Sequence, residues 1–450
     1  MSERRLLAPV ERTVDVFDRG SSLNFIVIAR VHGVLSAEHL HSALRRLELR
    51  HPLLRARVER SASGTAFVLG EAHPIPLTTL DGPEEAWRKL AEQALAHRVW
   101  NDSGPRAELT WLRHGERDST LLLLFHHLVS DGSSGIFAMR DLLRLAAHPG
   151  LSLEPVPAPA QSNFYPQGHG SLLWKLRTFR VLARARRTPK PQRLRKDPEG
   201  PRFFRLARLQ IPREESLMLQ QRARQDGATV HGVVSAAMAK AVAAQLGPGP
   251  VQERIMHPVD LRRYVRACYP KLPAIGEAVG YYVSSLETNH LVDPGQPLGD
   301  LAREITAEIR ASKARGTPLI SGPILGPMLT KRSEGTTGDL PKFRVFAENK
   351  VLINTFSQSN LGALEQLGVA SEYGALELMD LHFVAAGSVA STLGASVTSF
   401  RGALNIGIGW VEPVVPNKIA EQLVARIEHE LAEYIGLHSA PGLPSEANAP

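Results

Sequence analysis

Residues 121 to 132 read Leu-Leu-Leu-Leu-Phe-His-His-Leu-Val-Ser-Asp-Gly, and no other stretch of the chain limits its fold as tightly. The continuous apolar run from 121 to 125 lacks the alternation of a half-buried strand. It reads as a strand buried on both faces. The run stops at two adjacent histidines, His126 and His127, followed by Asp131 and Gly132. A buried strand ending this way holds an imidazole at a fixed point beside the core. Two readings follow: a histidine pair merely satisfied at a strand end, or a positioned general base.

The rest of the chain supplies α and β segments in mixed order. Residues 23 to 34 are rich in β-branched side chains and read as a strand. Ser36 resembles an N-cap for a helix over 37 to 50, with apolar positions at Leu40, Leu44 and Leu47. Arg50-His51-Pro52-Leu53-Leu54-Arg55 turns the chain into another strand, with His51 read as structural. A second helix is expected over 84 to 98, and a hairpin joins 107–113 to 120–126 around His114-Gly115-Glu116. Ser133 or Ser134 is expected to cap a helix from Gly135 to about Ala147.

Pro, Gly and Ser between 149 and 169 mark a loop. After it come a strand from Phe203, a helix over 214 to 226, and a buried Ala-rich helix over 230 to 246, capped by Thr229. A strand over 251 to 261 leads into Asp260-Leu261-Arg262-Arg263. Gly-punctuated extended chain is expected over 275 to 288, a helix over 298 to 314, and a strand over 348 to 362 ending in Ser359-Asn360-Leu361-Gly362. Residues 376 to 410 read as three antiparallel strands. A last helix follows, from about 417 to 435. The expected division is a first lobe over 1–160, a basic Pro-rich linker with an amphipathic helix over 161–202, a second lobe over 203–436 and a disordered tail over 437–450.

The net charge of +8 is local. Residues 171 to 205 hold twelve Lys and Arg against Asp197 and Glu199, so this segment carries +10 and the remainder −2. Within it Leu172, Leu176, Phe179 and Ala183 follow helical spacing, an amphipathic helix candidate over 171 to 187. Arg177, Arg180, Arg184 and Arg187 form an adjacent basic stripe. A solvated linker face, a membrane-surface helix and a docking surface for an acidic partner are all open. Nucleic acid is not expected, because the run lacks interleaved aromatics and any recognition motif. The single cysteine, Cys268, rules out an intramolecular disulfide and speaks against a Cys-based metal site; it reads as a small core residue. No apolar segment approaches the roughly 20 residues needed to span a bilayer. The N-terminal residues carry no signal-peptide apolar region, and a cytoplasmic protein, peripheral to a membrane at most, is expected.

His126-His127-Leu128-Val129-Ser130-Asp131-Gly132 resembles the signature of the condensation-domain and chloramphenicol-acetyltransferase-like acyltransferases. Arg50-His51-Pro52-Leu53-Leu54-Arg55, Thr229-Val230-His231, Asp260-Leu261-Arg262 and Ser359-Asn360-Leu361-Gly362 look like further phrases of that superfamily. The opening Leu-Leu-Ala-Pro-Val-Glu is similar to the polyketide-associated branch typified by phthiocerol dimycocerosyl transferases. The chain lacks the Asp-Phe-Gly-Trp-Gly motif of the plant branch; Gly407-Ile408-Gly409-Trp410 only echoes it. The early Pro-Leu-Trp phrase of wax ester synthases is absent too.

The resemblance implies an α/β (α+β) fold of two chloramphenicol-acetyltransferase-like lobes. Each would be a mixed, mostly antiparallel sheet with helices, with a tunnel between them in which donor and acceptor meet at the second histidine. It assigns His127 as general base, with His126, Asp131 and Gly132 shaping its loop. Asp131 would turn away from His127 and pair with Arg262 rather than complete a triad. Backbone N–H near Gly132 and the side chains of Asn360 and Ser359 are candidate oxyanion or substrate contacts. No metal and no resident cofactor are expected. The donor would be a thioester, on the phosphopantetheine of an acyl carrier protein or on coenzyme A, with the carrier docking on the basic 171–205 segment. Three functions remain open: an O-acyltransferase using an alcohol in lipid or polyketide metabolism, an amide-forming condensation enzyme using an amine, and a non-catalytic scaffold. A monomer is expected.

Overall fold

The computed structural model describes residues 3–18, 22–62, 64–70, 73–96, 100–166, 171–187, 189–192, 194, 201–272, 274–320, 331, 354–386 and 392–437. In chain order the first half holds β1 (Arg4–Leu6), α1 (Pro9–Asp18), β2 (Asn24–His32), α2 (Ala37–Arg50), β3 (Arg57–Ser61), β4 (Gly64–Val68), β5 (Leu77–Asp81), α3 (Ala86–Ala94), β6 (Ala107–Arg113), β7 (Asp118–His126) and α4 (Gly132–Ala147). After α5 (Leu172–Arg187) come β8 (Phe203–Ile211), α6 (Arg213–Gln225), α7 (Val230–Leu246), β9 (Val251–Asp260), α8 (Leu261–Cys268), β10 (Val283–Val292) and α9 (Leu298–Ala314). The chain closes with β11 (Phe356–Ala363), β12 (Glu372–Tyr373), β13 (Leu376–Ala385), β14 (Leu393–Phe400), β15 (Ala403–Glu412) and α10 (Asn417–Tyr434).

Two six-stranded mixed sheets carry the architecture, in the orders β12-β13-β2-β7-β6-β5 and β10-β9-β11-β14-β15-β8. The first is antiparallel except for β5 beside β6, and the second is antiparallel except where β11 runs parallel to β9 and β14. The α/β fold of two mixed sheets with helices is the one the motif implied.

β7 shows why its sequence is apolar without alternation. It lies inside the first sheet between β2 and β6, and both of its faces are covered. Leu121, Leu123 and Phe125 join a core with Leu40, Leu44 and Leu47 of α2 and Ile136 and Met139 of α4. Leu122 and Leu124 face the opposite way, onto Ala91 of α3 and onto Phe204 and Leu206 of β8. Each large side chain so buried contributes about 1.5–3 kcal/mol. In the second lobe α7 is buried along most of its surface against Ile255, Val397 and Ile406, as its Ala-rich composition suggested.

Four differences from the sequence reading matter. First, residues 376 to 412 do form three strands, but β13 pairs with β2 of the first sheet, Ala385 opposite Phe25, while β14 and β15 pair in the second. Apolar alternation reports burial and does not report which sheet a strand joins. Second, the cap of α4 is Asp131, whose side chain accepts from Ser134 N–H; the helix starts at Gly132. Third, the packed face of α5 is Trp174 and Thr178, which the apolar spacing did not single out, while Leu172, Leu176 and Phe179 are exposed. Fourth, Cys268 ends α8 and is exposed rather than in the core. Residues 438 to 450 of the expected tail, the strand residues 348 to 353 and basic positions 193, 195 and 196 of the linker lie outside the described residues.

Candidate active site

β7 ends at the motif and the chain turns sharply into α4. The two histidines point to different surroundings, as successive residues leaving a strand must. His126 is buried. Its Nδ1 accepts the Leu128 N–H at 3.0 Å, its Nε2 lies 2.9 Å from Asp18 Oδ1, and Trp100 meets its ring edge-on. This ring holds the turn together and is not among the residues lining the cavity at His127.

His127 is the ring that faces open space. It stands against Phe25, with ring centroids 4.8 Å apart, and makes an edge contact with Tyr281 at 6.0 Å. Its Nδ1 donates to the Ser130 carbonyl at 3.2 Å, a partner that can only accept. A neutral ring so bonded leaves Nε2 as the basic nitrogen. Burial pushes the His127 pKa down to about 4; the nearby His126 lowers it further, while the Ser130 bond and the charge of Asp131 oppose the shift only in part. Burial, aided by the charge of Asp131, also pushes the Tyr281 phenol upward, so it remains protonated.

His127 lines a cavity of about 270 Å³ at the seam of the two sheets. Leu23, Phe25, Phe383 and Ala385 wall it from the first sheet's side; Met256, Pro258, Val283, Ala395 and Gly409 do so from the second. Ser284, Ser285, Ser357, Ser359 and Ser396 add hydroxyls to a mainly apolar lining. Two larger open hollows, about 620 and 760 Å³, contain no residue of the histidine motif.

Asp131 does turn away from His127. Its Oδ2 accepts from Arg262 Nη1 at 2.9 Å and from the Tyr282 N–H at 2.7 Å; its Oδ1 accepts from the Ser134 N–H at 2.9 Å. Arg262 further donates to Ser134 Oγ and to the Ala278 carbonyl, both at 2.7 Å, and its guanidinium sits 4.7 Å from the Tyr282 ring centroid. Arg262 and Asp131 are both buried, with side-chain exposures of 8% and 4%. Ser133 and Ser134, expected only as caps, reach the second lobe: Ser133 donates to Asp260 at 2.8 Å and Ser134 to the Gly280 carbonyl at 2.9 Å.

Gly132 also lines the cavity. A Cβ there would lie 3.2 Å from Leu361 and 3.6 Å from Phe383, so glycine lets β11 and β13 close over the start of α4. Ser359 is on the wall, as expected. Asn360 is not among the lining residues: its Oδ1 accepts the Gly362 N–H at 2.8 Å across a bulge in β11, a turn role that local Asn chemistry favours. Tyr281 was not foreseen, because nothing in its local sequence signals contact with a histidine some 150 positions away.

His51 is structural, and its partners explain the phrase around it. Its Nε2 lies 3.1 Å from Asp141, which also bonds Arg50 and Arg140. Burial would raise the Asp141 pKa, but the His51 bond, Arg140 and Arg50 together hold it well below the usual carboxylate range. Arg140 reaches Glu277 at 2.7 Å, so this cluster also spans the lobes. Among the described residues, no group of three or more His, Cys, Asp and Glu could hold a metal ion, and no single helix is long and apolar enough to cross a membrane.

Known proteins agree with both halves. The family model for the condensation domain matches residues 13–165, and that for the phthiocerol/phthiodiolone dimycocerosyl transferase C-terminus matches residues 200–409. Vanchrobactin synthetase VabF of Vibrio anguillarum is 36% identical over 152 residues, 31% of this chain but only 5% of that protein's length. Uncharacterized protein Rv2305 of Mycobacterium tuberculosis is 28% identical over 84% of this chain and 87% of its own. Polyketide synthase associated protein 5 from Mycobacterium tuberculosis has the same fold, with a TM-score of 0.66 at 19% identity over 96% of this chain and all of that one. TRI3 trichothecene 15-O-acetyltransferase from Fusarium sporotrichioides superposes with a TM-score of 0.69 at 13% identity, over 96% and 95% of the two chains. With one family model over each half, and the motif's histidine at the seam between them, the chain belongs to the superfamily of condensation domains and chloramphenicol-acetyltransferase-like acyltransferases.

Proposed function

We propose that the protein is an O-acyltransferase that moves an acyl group from a thioester to a hydroxyl acceptor. The observation that carries this reading is His127: its Nδ1 is committed to Ser130, and its neutral ring lines an apolar cavity between the lobes. In the reaction Nε2 takes the hydroxyl proton as the oxygen attacks the thioester carbonyl. The C–O bond forms, the C–S bond breaks, and the proton passes to the departing thiolate. Positioned proton transfer of this kind is worth roughly 10²- to 10⁴-fold. No acyl-enzyme is required, and the exposed Cys268 plays no part. The protonated Tyr281, beside His127, and the serine hydroxyls of the wall are candidate donors to the developing oxyanion. The thioester is carried by the phosphopantetheine of an acyl carrier protein or by coenzyme A.

Amide formation is the second reading. It is favoured by the condensation-domain match over 13–165 and by the similarity to vanchrobactin synthetase VabF. The base would act on an amine in the same way. The test is intact-mass analysis of an acyl-loaded carrier protein, and of acyl coenzyme A, incubated with the full chain and a panel of alcohols and amines. Ester products that fall 10²- to 10⁴-fold in His127→Ala are expected. Amide products alone would replace the first reading with the second. Transfer that survives His127→Ala unchanged would remove His127 as the base.

A further inference from the structure

α5 presents an apolar face that the described chain leaves uncovered. Leu172, Leu173, Leu176 and Phe179 are 72%, 59%, 50% and 67% exposed. At about 100° per residue, Leu172, Leu176 and Phe179 fall within roughly 60° of arc, with Leu173 beside them. The opposite side of the helix is the packed one. Trp174 is buried with Phe164, Tyr264, Ile275 and Tyr282, and Thr178 is buried next to it. Lys175 and Arg180, both exposed, flank the Leu172–Leu176–Phe179 row, Lys175 beyond one edge and Arg180 on the other side between the row and Leu173. Single exposed leucines are ordinary, but four large apolar side chains on one free face are a surface with a purpose.

We propose that α5 docks the protein on an anionic lipid surface, with Leu172, Leu173, Leu176 and Phe179 in the acyl region and Lys175 and Arg180 at the level of the phosphates. The order of chemistry across the helix decides between a membrane and an acidic protein. An acidic protein is met by cations at the centre of a patch. Here the centre is apolar and the cations stand at its edges, which matches a bilayer interface in section, and Lys and Arg stems reach outward readily from such positions. The helix is also braced on the active-site wall. Trp174 shares its core with Tyr282, whose N–H is held by Asp131, and the neighbours Tyr281 and Val283 line the cavity. If the acyltransferase reading holds, this placement selects an acceptor or acyl chain of lipid class, drawn from the membrane.

The test is co-sedimentation of the full chain with vesicles containing phosphatidylglycerol, and with vesicles of phosphatidylcholine alone. Binding to the anionic vesicles, weaker binding to the neutral ones, and a loss on the order of tenfold in Leu176→Asn/Phe179→Asn and in Lys175→Glu/Arg180→Glu are expected. Thermal unfolding of these variants should match the parent chain, because the replaced side chains are exposed. No binding by the parent chain would overturn the proposal, as would equal binding by the Leu176→Asn/Phe179→Asn variant. Retained vesicle binding with lost transfer from a carrier-bound acyl group would assign the face to the carrier protein instead. Vesicle binding is read without acyl transfer, so its failure and that of the catalytic reading are separable.

Discussion

At the scale of single residues, the ring of His127 combines two properties that oppose each other. Burial makes it a weaker base in equilibrium terms, and the same burial keeps it neutral and ready to accept a proton. A histidine pKa lowered to about 4 means that the basic form is present above that value and lost as pH falls through it. The acid limb of kcat/KM is therefore expected near pH 4 rather than at the 6.5 of a solvated imidazole. The linkage to stability has the same sign: between 6.5 and 4 the unfolded chain binds a proton that the folded chain refuses, so stability falls as pH drops through that window. A limb at 6.5 in a pH–rate profile would mean that another, solvated group is the base. The Asp131–Arg262 pair supplies the second residue-scale expectation. Removing either partner leaves a buried charge unpaired, so Asp131→Ala and Arg262→Ala should each cost about 3–5 kcal/mol in urea unfolding. The double variant should cost less than the sum, because the orphaned charge disappears with its partner; strict additivity would mean that the two do not act as a pair. His127, Asp131 and Arg262 were legible because one motif and one short phrase carry them. Tyr281, Ser133, Ser134 and Glu277 were not: each acts through a contact across more than a hundred positions, and its neighbours in sequence do not record it.

At the scale of elements, the junction of β7 and α4 is set by close approach. Gly135 is the tightest point: a Cβ there would sit 2.6 Å from Phe25 and 2.9 Å from Val27. In an exposed helix Gly→Ala normally stabilises by roughly 1 kcal/mol. Here Gly135→Ala should destabilise by about 1–3 kcal/mol through overpacking. It should also lower the transfer rate, because Phe25 stacks on Phe125 and on the His127 ring. Gly249→Ala, where nothing lies within 4 Å, is the matched control and should be neutral in thermal unfolding. If Gly135→Ala proved as harmless as the control, α4 would not press on β2 as described. Element boundaries were legible where a local signal exists: Ser36 caps α2 and Thr229 caps α7, each accepting the expected backbone N–H. The packed face of α5 was not legible, for a physical reason. Its apolar row at helical spacing looks the same whether the row meets a core or a membrane, and only the burial of Trp174 distinguishes them.

At the scale of the whole molecule, the two lobes are joined by more than the linker. β13 comes from the second half of the chain but completes the first sheet, pairing with β2 from Glu377 opposite His32 to Ala385 opposite Phe25. β8 sends Phe204 and Leu206 onto the other face of that sheet. Arg262–Asp131 adds a buried charge pair across the seam, and Arg140 reaches across it to the exposed Glu277. The division at 160 and 203 expected from composition therefore separates chain segments that share one sheet. A fragment of residues 1–202 would leave the β2 edge unpaired, with its N–H and C=O groups open to other chains, and would uncover the apolar face over Leu122 and Leu124. We expect this fragment to aggregate and to show no cooperative urea transition by near-ultraviolet circular dichroism. Co-expression with residues 203–437 should restore a single transition and a soluble complex by size-exclusion chromatography. A fragment of 1–202 that folds cooperatively alone would show that the first sheet is stable without β13. His127 would then belong to a self-sufficient lobe rather than to a site that exists only when both halves of the chain are in place.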